Sequence, residues 1–145
     1  RNEISILIGK PQRLSLSMEM ESEDLIRIPS RFATGLEDSI IALIDNALEA
    51  SEEKLSAVEV VCRVSSGSAD VRGTDSGKGI PPEVLPQLLK ERATFGKRDG
   101  NGLGLFHASE LMKKLGGRVE IESKLGRGTS VSLIFGNVFE YERAN

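Results

Sequence analysis

Ser68-Ala-Asp-Val-Arg-Gly73-Thr-Asp75-Ser76-Gly77-Lys78-Gly79-Ile80-Pro81 is the stretch that decides the fold of this 145-residue chain. Ser68–Gly73 alternates like a strand, and Ser65-Ser66-Gly67 joins it to the apolar run Val58–Val64, so the two read as a hairpin. Periodicity then stops at Asp75-Ser76-Gly77-Lys78-Gly79. A carboxylate placed there can accept a hydrogen bond from an amino group such as that of adenine. Gly77 and Gly79 let the backbone pass close to a flat ring.

On the N-terminal side, Ile40, Ile41, Leu43, Ile44, Ala47 and Leu48 recur at helical spacing and predict a helix over Glu37–Ser51. Glu37 and Asp38 at its start suit the positive end of the helix dipole. Arg13–Met20 alternates with a period of two and predicts a half-buried strand, and the short apolar stretch before Pro29 reads as a second edge strand. On the C-terminal side, Pro81-Pro82 ends the loop and starts a short helix through Leu89, with Pro82 in its first turn. Ala93–Gly102 is charged, Gly-rich and aperiodic, hence a loop. Leu103–Leu115 is helical again and stops at Gly116-Gly117. Val119–Ser123 and Ser130–Phe135 are two further strands flanking the turn Lys124–Thr129. Strands arrive mostly as hairpins, not as regular strand–helix–strand crossovers, which predicts an α+β sandwich with helices packed on one face of a mixed sheet.

Bulk properties narrow the function. A net charge of −3 argues against a nucleic-acid module, which usually presents a basic face. The single cysteine, Cys62, permits no internal disulfide and reads as a small buried hydrophobe, in keeping with a reducing, cytoplasmic setting. No apolar run approaches the length of a membrane span, so no direct membrane contact is expected. The chain opens at Arg1 and reads as a piece of a larger parent, itself possible as a membrane-anchored protein.

Two more segments carry chemistry. Gly100-Asn-Gly-Leu-Gly104-Leu105 opens the helix that runs to Leu115, and a Gly-rich helix start offers free N–H groups to an anion. It follows a polar loop and not a strand, so it is no dinucleotide fingerprint, and no Gly-Lys-Ser/Thr phosphate loop exists. Asn46 lies beside the apolar stripe of Glu37–Ser51, where an amide oxygen suits a hard cation such as Mg²⁺ that leans on phosphate oxygens.

In this order and spacing the three segments are similar to a known family. Ala42–Ala50 resembles the N box, Asp75–Pro81 the first glycine box and Gly100–Leu105 the second glycine box of the ATP-binding domains shared by histidine kinases, DNA gyrase, Hsp90 chaperones and MutL. Leu115–Ser123 and Gly126–Ile134 resemble the closing strands of the sensor histidine kinase branch. The resemblance implies the Bergerat-type α/β sandwich, mostly antiparallel, with three main helices on one face. It implies ATP and Mg²⁺ as ligands, with Asp75 on the adenine amino group, Gly77 and Gly79 shaping the adenine pocket, and Asn46 holding Mg²⁺. Gly100, Gly102, Leu103 and Gly104 would form the hinge and the phosphate-facing helix start, Thr129 would touch adenine through water, Phe95 would be the lid aromatic and Lys97 a lid cation. The activity implied is transfer of the γ-phosphate to a histidine on a separate dimerisation domain, with a response regulator downstream. Residues 1–12 would then end a linker from that domain, 13–136 form the catalytic domain, and 137–145 a tail.

Three residues set the chain apart. Ala42 stands where ATP-hydrolysing members carry a water-activating Glu and histidine kinases often Asn, His or Glu, so gyrase-like hydrolysis is not expected. It also disfavours an anti-sigma-type protein kinase and leaves open a nucleotide-binding regulatory module without phosphotransfer. Glu49 stands where histidine kinases often have Lys. His107, the sole histidine, lies in the helix after Gly104 and is not expected to be the phosphoacceptor.

Overall fold

The computed structural model describes residues 2–8, 12–20, 26–50, 57–65, 67–88 and 103–136. They form strands β1 (Asn2–Ile8), β2 (Gln12–Met20), β3 (Ala57–Ser65), β4 (Ser68–Asp75), β5 (Arg118–Lys124) and β6 (Gly128–Gly136), with helices α1 (Ala33–Ala50), α2 (Leu85–Leu88) and α3 (Leu103–Lys114). The strands make one sheet in the order β1-β2-β3-β4-β6-β5. Only β2 and β3 pair in parallel; the other neighbours are antiparallel. The α+β architecture predicted above is therefore the one observed, and α2 is a single turn beside two long helices.

The parallel pair corrects one expectation. β2, α1 and β3 form a strand–helix–strand crossover, because parallel neighbours need a long connection and residues 21–56 provide it. Residues 2–8, read as linker, pair antiparallel with β2 at the sheet edge. Residues 26–29 are not a strand; they lead into a 3₁₀ turn at Ser30–Phe32 that feeds α1 directly. Helix α1 thus starts one turn before the predicted point, so Glu37 and Asp38 fall outside its first turn and the dipole argument does not apply to them. Pro82 lies in the turn preceding α2, not in the helix.

Both long helices cover one face. Leu43, Ala47, Val58, Val60, Ala69, Val71, Leu105, Ala108, Leu111, Met112, Leu115, Val131, Leu133 and Phe135 form the continuous core. Close backbone approach is purchased with glycine: a Cβ added at Gly73 of β4 would lie 2.4 Å from Leu43 Cδ2, so α1 settles onto the sheet there. Helix α3 ends in a Schellman motif, with Gly116 at φ 72°, Gly116 N–H donating to Lys113 O and Gly117 N–H to Met112 O. The opposite face is mainly polar, with Val61 and Ile134 as apolar exceptions. Arg72 bonds Ser132 at 2.9 Å and Thr74 bonds Ser130 at 3.0 Å, each pair directly opposed across β4 and β6. Cys62 is half-buried, not enclosed, and packs against the edge of the core opposite Val71. Burial, with Asp70 nearby, pushes its thiol up and keeps it protonated.

Candidate functional site

Three strands end side by side under the C-terminal end of α1. Asp75 is the last residue of β4, Thr129 lies opposite it on β6, and Ser123 lies opposite Thr129 on β5. Asp75 and Thr129 are both buried, at 7% and 8% exposure, although each is polar. Such residues persist in a core only when their polar atoms have work.

The loop after β4 is held in place by backbone. Asp75 Oδ1 accepts from Gly77 N–H at 2.8 Å, closing a tight turn. A Cβ at Gly77 would lie 2.2 Å from the Ala50 carbonyl oxygen, so the loop rests directly on the last turn of α1. Gly79 has φ +76° and lies under Lys124 O, and Gly128 has φ +128° and lies over Asp75 O. The Gly126 N–H donates to Lys78 O at 2.8 Å, which stitches the loop to the β5–β6 turn.

Ser123 is the residue that sequence reading missed. Its hydroxyl accepts from Ile80 N–H at 2.7 Å, donates to Gly128 O at 3.1 Å and lies 2.8 Å from Thr129 Oγ1. It therefore fixes the loop and the Thr129 rotamer together. The available signal was the hairpin itself, since a turn centred on Gly126 pairs position 123 with position 129. Removing the hydroxyl in Ser123→Ala leaves the Ile80 N–H without its acceptor, at a cost of about 1–3 kcal/mol. The melting temperature is expected to fall by several degrees, and scanning calorimetry of the variant beside wild type checks it.

Asn46 projects from α1 one turn before Ala50, the residue on which the loop rests. Both its amide atoms are enclosed, and neither has a hydrogen-bond partner among the described residues. An enclosed amide oxygen with no donor fits a hard cation. Among the described residues no group of three or more His, Cys, Asp or Glu could hold a metal, so a cation here would need oxygens from its ligand as well.

Of the other predicted residues, Leu103 and Gly104 open α3 as expected. Phe95, Lys97, Gly100 and Gly102 lie outside the described residues. Ala42 is half-buried on α1 one turn before Asn46 and carries no proton acceptor. His107 is exposed on α3, with the edge of its ring near Phe106 at 5.6 Å between centroids. Among the described residues, no helix is long and apolar enough to cross a membrane.

The family of histidine kinase-, DNA gyrase B- and HSP90-like ATPases matches residues 32–137, a span that holds every site residue named above. The C4-dicarboxylate transport sensor protein DctB of Rhizobium meliloti is 37% identical over 89 residues, covering 61% of this chain and 14% of that protein. The catalytic domain of histidine kinase ThkA superposes with a TM-score of 0.66 at 23% identity, covering 86% of this chain and 79% of that one. A mycobacterial sensor histidine kinase, MprB, superposes with a TM-score of 0.65 at 24% identity, covering 86% and 84%. These likenesses to solved structures show the fold. The chain spans less than a fifth of the DctB length, 14%.

Proposed function

The chain belongs to the histidine kinase-, DNA gyrase B- and HSP90-like ATPase family, and on that premise we propose that it binds Mg-ATP and donates the γ-phosphate to a histidine on a separate dimerisation domain. The phosphoryl group would pass on to a response regulator. The observation that carries this reading is the buried Asp75 beside Thr129, set among the close contacts of Gly77, Gly79, Ser123 and Gly128. An acceptor-only carboxylate at this place suits the adenine amino group, and the glycine backbone leaves room for the ring.

Asn46 would hold Mg²⁺ through its amide oxygen. The ion supplies charge neutralisation at the phosphates. The chain's own part is positioning: the Asp75 loop fixes the base, and the start of α3 at Leu103-Gly104 offers N–H groups to phosphate. Ala42 carries no proton acceptor, so the attacking imidazole of the other domain would need to be reactive with little help.

Calorimetric titration of ADP with and without Mg²⁺ tests binding. Asn46→Ala is expected to weaken the Mg²⁺-supported affinity by about tenfold or more and to leave metal-free binding nearly unchanged, since an amide ligand contributes on the order of 1–2 kcal/mol. Equal loss in both buffers would remove Asn46 from the metal. Mixing the chain with the parent's dimerisation domain and labelled ATP tests transfer. Tight Mg-ADP binding without phosphohistidine would favour the regulatory module, which the alanine at position 42 supports.

A further inference from the structure

Ala42, Asn46 and Glu49 follow at i, i+4 and i+7, one stripe along the flank of α1. Glu49 Oε2 is enclosed and, like both amide atoms of Asn46, has no hydrogen-bond partner among the described residues. Glu49 also lies in the last turn of α1, where the carbonyl end of the helix disfavours a negative charge. No Lys or Arg occurs anywhere in α1 to compensate it. An enclosed carboxylate oxygen with no donor among the described residues, at the negative end of a helix, is an arrangement that a cation relieves.

We propose that Glu49 is part of the Mg²⁺ site and makes nucleotide binding strongly dependent on the cation. The inference rests on the nucleotide-binding reading above. Asn46 is neutral, whereas Mg²⁺ in phosphate sites is generally held by one or two carboxylates with the phosphate oxygens. Glu49 stands one turn along the helix from Asn46, near enough to share an ion with it. Without the ion, its charge confronts the phosphates and repels them. With the ion, the same charge becomes a ligand. A lysine at this position would instead attract phosphate in either state, so the carboxylate turns an affinity-giving position into a metal gate.

The test is ADP titration of the chain in Mg²⁺ and in EDTA, for wild type, Glu49→Gln and Glu49→Lys. Wild type is expected to bind much more tightly in Mg²⁺ than in EDTA. Glu49→Gln keeps the shape and removes the charge, and should narrow that ratio by roughly tenfold, binding more weakly in Mg²⁺ and more tightly in EDTA. Glu49→Lys should bind ADP in EDTA more tightly than wild type does there. In the absence of ligands, Glu49→Gln should melt no lower than wild type, because it removes a charge whose enclosed oxygen Oε2 has no partner among the described residues. A ratio unchanged in Glu49→Gln, with wild type still Mg²⁺-dependent, would overturn the assignment while sparing the nucleotide site. A markedly lower melting temperature for ligand-free Glu49→Gln would also overturn it, since Glu49 would then serve the fold. Wild type that fails to bind ADP in either buffer would overturn the nucleotide reading and this inference together.

Discussion

Asp75→Asn is expected to bind ADP about a hundredfold more weakly than wild type while melting close to it. The Gly77 N–H holds Oδ1 of residue 75 at 2.8 Å, and an asparagine oxygen can keep that bond. The loop therefore retains its shape. The NH₂ group then falls on the other branch of the side chain, where the carboxylate had offered only acceptors. An adenine amino group would meet a donor instead of an acceptor. Losing a bond to a charged group and leaving a donor unpaired together cost about 3 kcal/mol, which is a factor of about a hundred. Parallel calorimetry and thermal melting check the two halves of the prediction. Undiminished affinity would mean that Asp75 serves only the fold, and the adenine assignment would go with it.

The second large effect is structural. Gly79→Ala should lower the melting temperature by about 10 °C, given a left-handed penalty of about 1–2 kcal/mol, a comparable overpacking cost and a few degrees per kcal/mol for a domain of this size. Gly79 has φ +76°, and a Cβ there would lie 2.2 Å from Lys124 O and 2.9 Å from Leu125 Cα. Those atoms are backbone, so relief requires the β5–β6 turn to move, and with it the bonds from Ser123 to Ile80 and Thr129. ADP affinity should fall in step. Gly126→Ala is the control: its φ is +79°, but a Cβ there meets nothing within 4 Å. It should show the conformational penalty alone, about 1 kcal/mol, with affinity preserved. Equal melting losses in the two variants would mean that close approach contributes nothing at Gly79.

Several parts of the site were legible because they are written in local rules. The Asp75–Gly79 break, the glycine stop after α3 and the apolar stripe of α1 each depend on residues within one or two turns of each other. Ser123 escaped because a serine on an alternating strand looks like any solvated side chain. Its role depends on Ile80 and Thr129, which lie 43 and 6 residues away. The half-buried state of Cys62 escaped for the same reason, since alternation assigns a face but not the depth of burial on it.

The sequence by itself determined most of the elements after β1, their inward faces and the loop that carries Asp75, because backbone propensity, side-chain period and glycine chemistry act over short separations. It also marked Asn46 as an amide out of place beside an apolar stripe. Only the tertiary structure decided that β6 inserts between β4 and β5, setting Thr129 against Asp75 and Ser123. It alone made β2 and β3 parallel and seated the Gly77 loop on the end of α1, one turn from Asn46. Strand order and helix seating follow from how apolar faces and backbone donors are satisfied across the whole sheet at once, a condition that no local window contains.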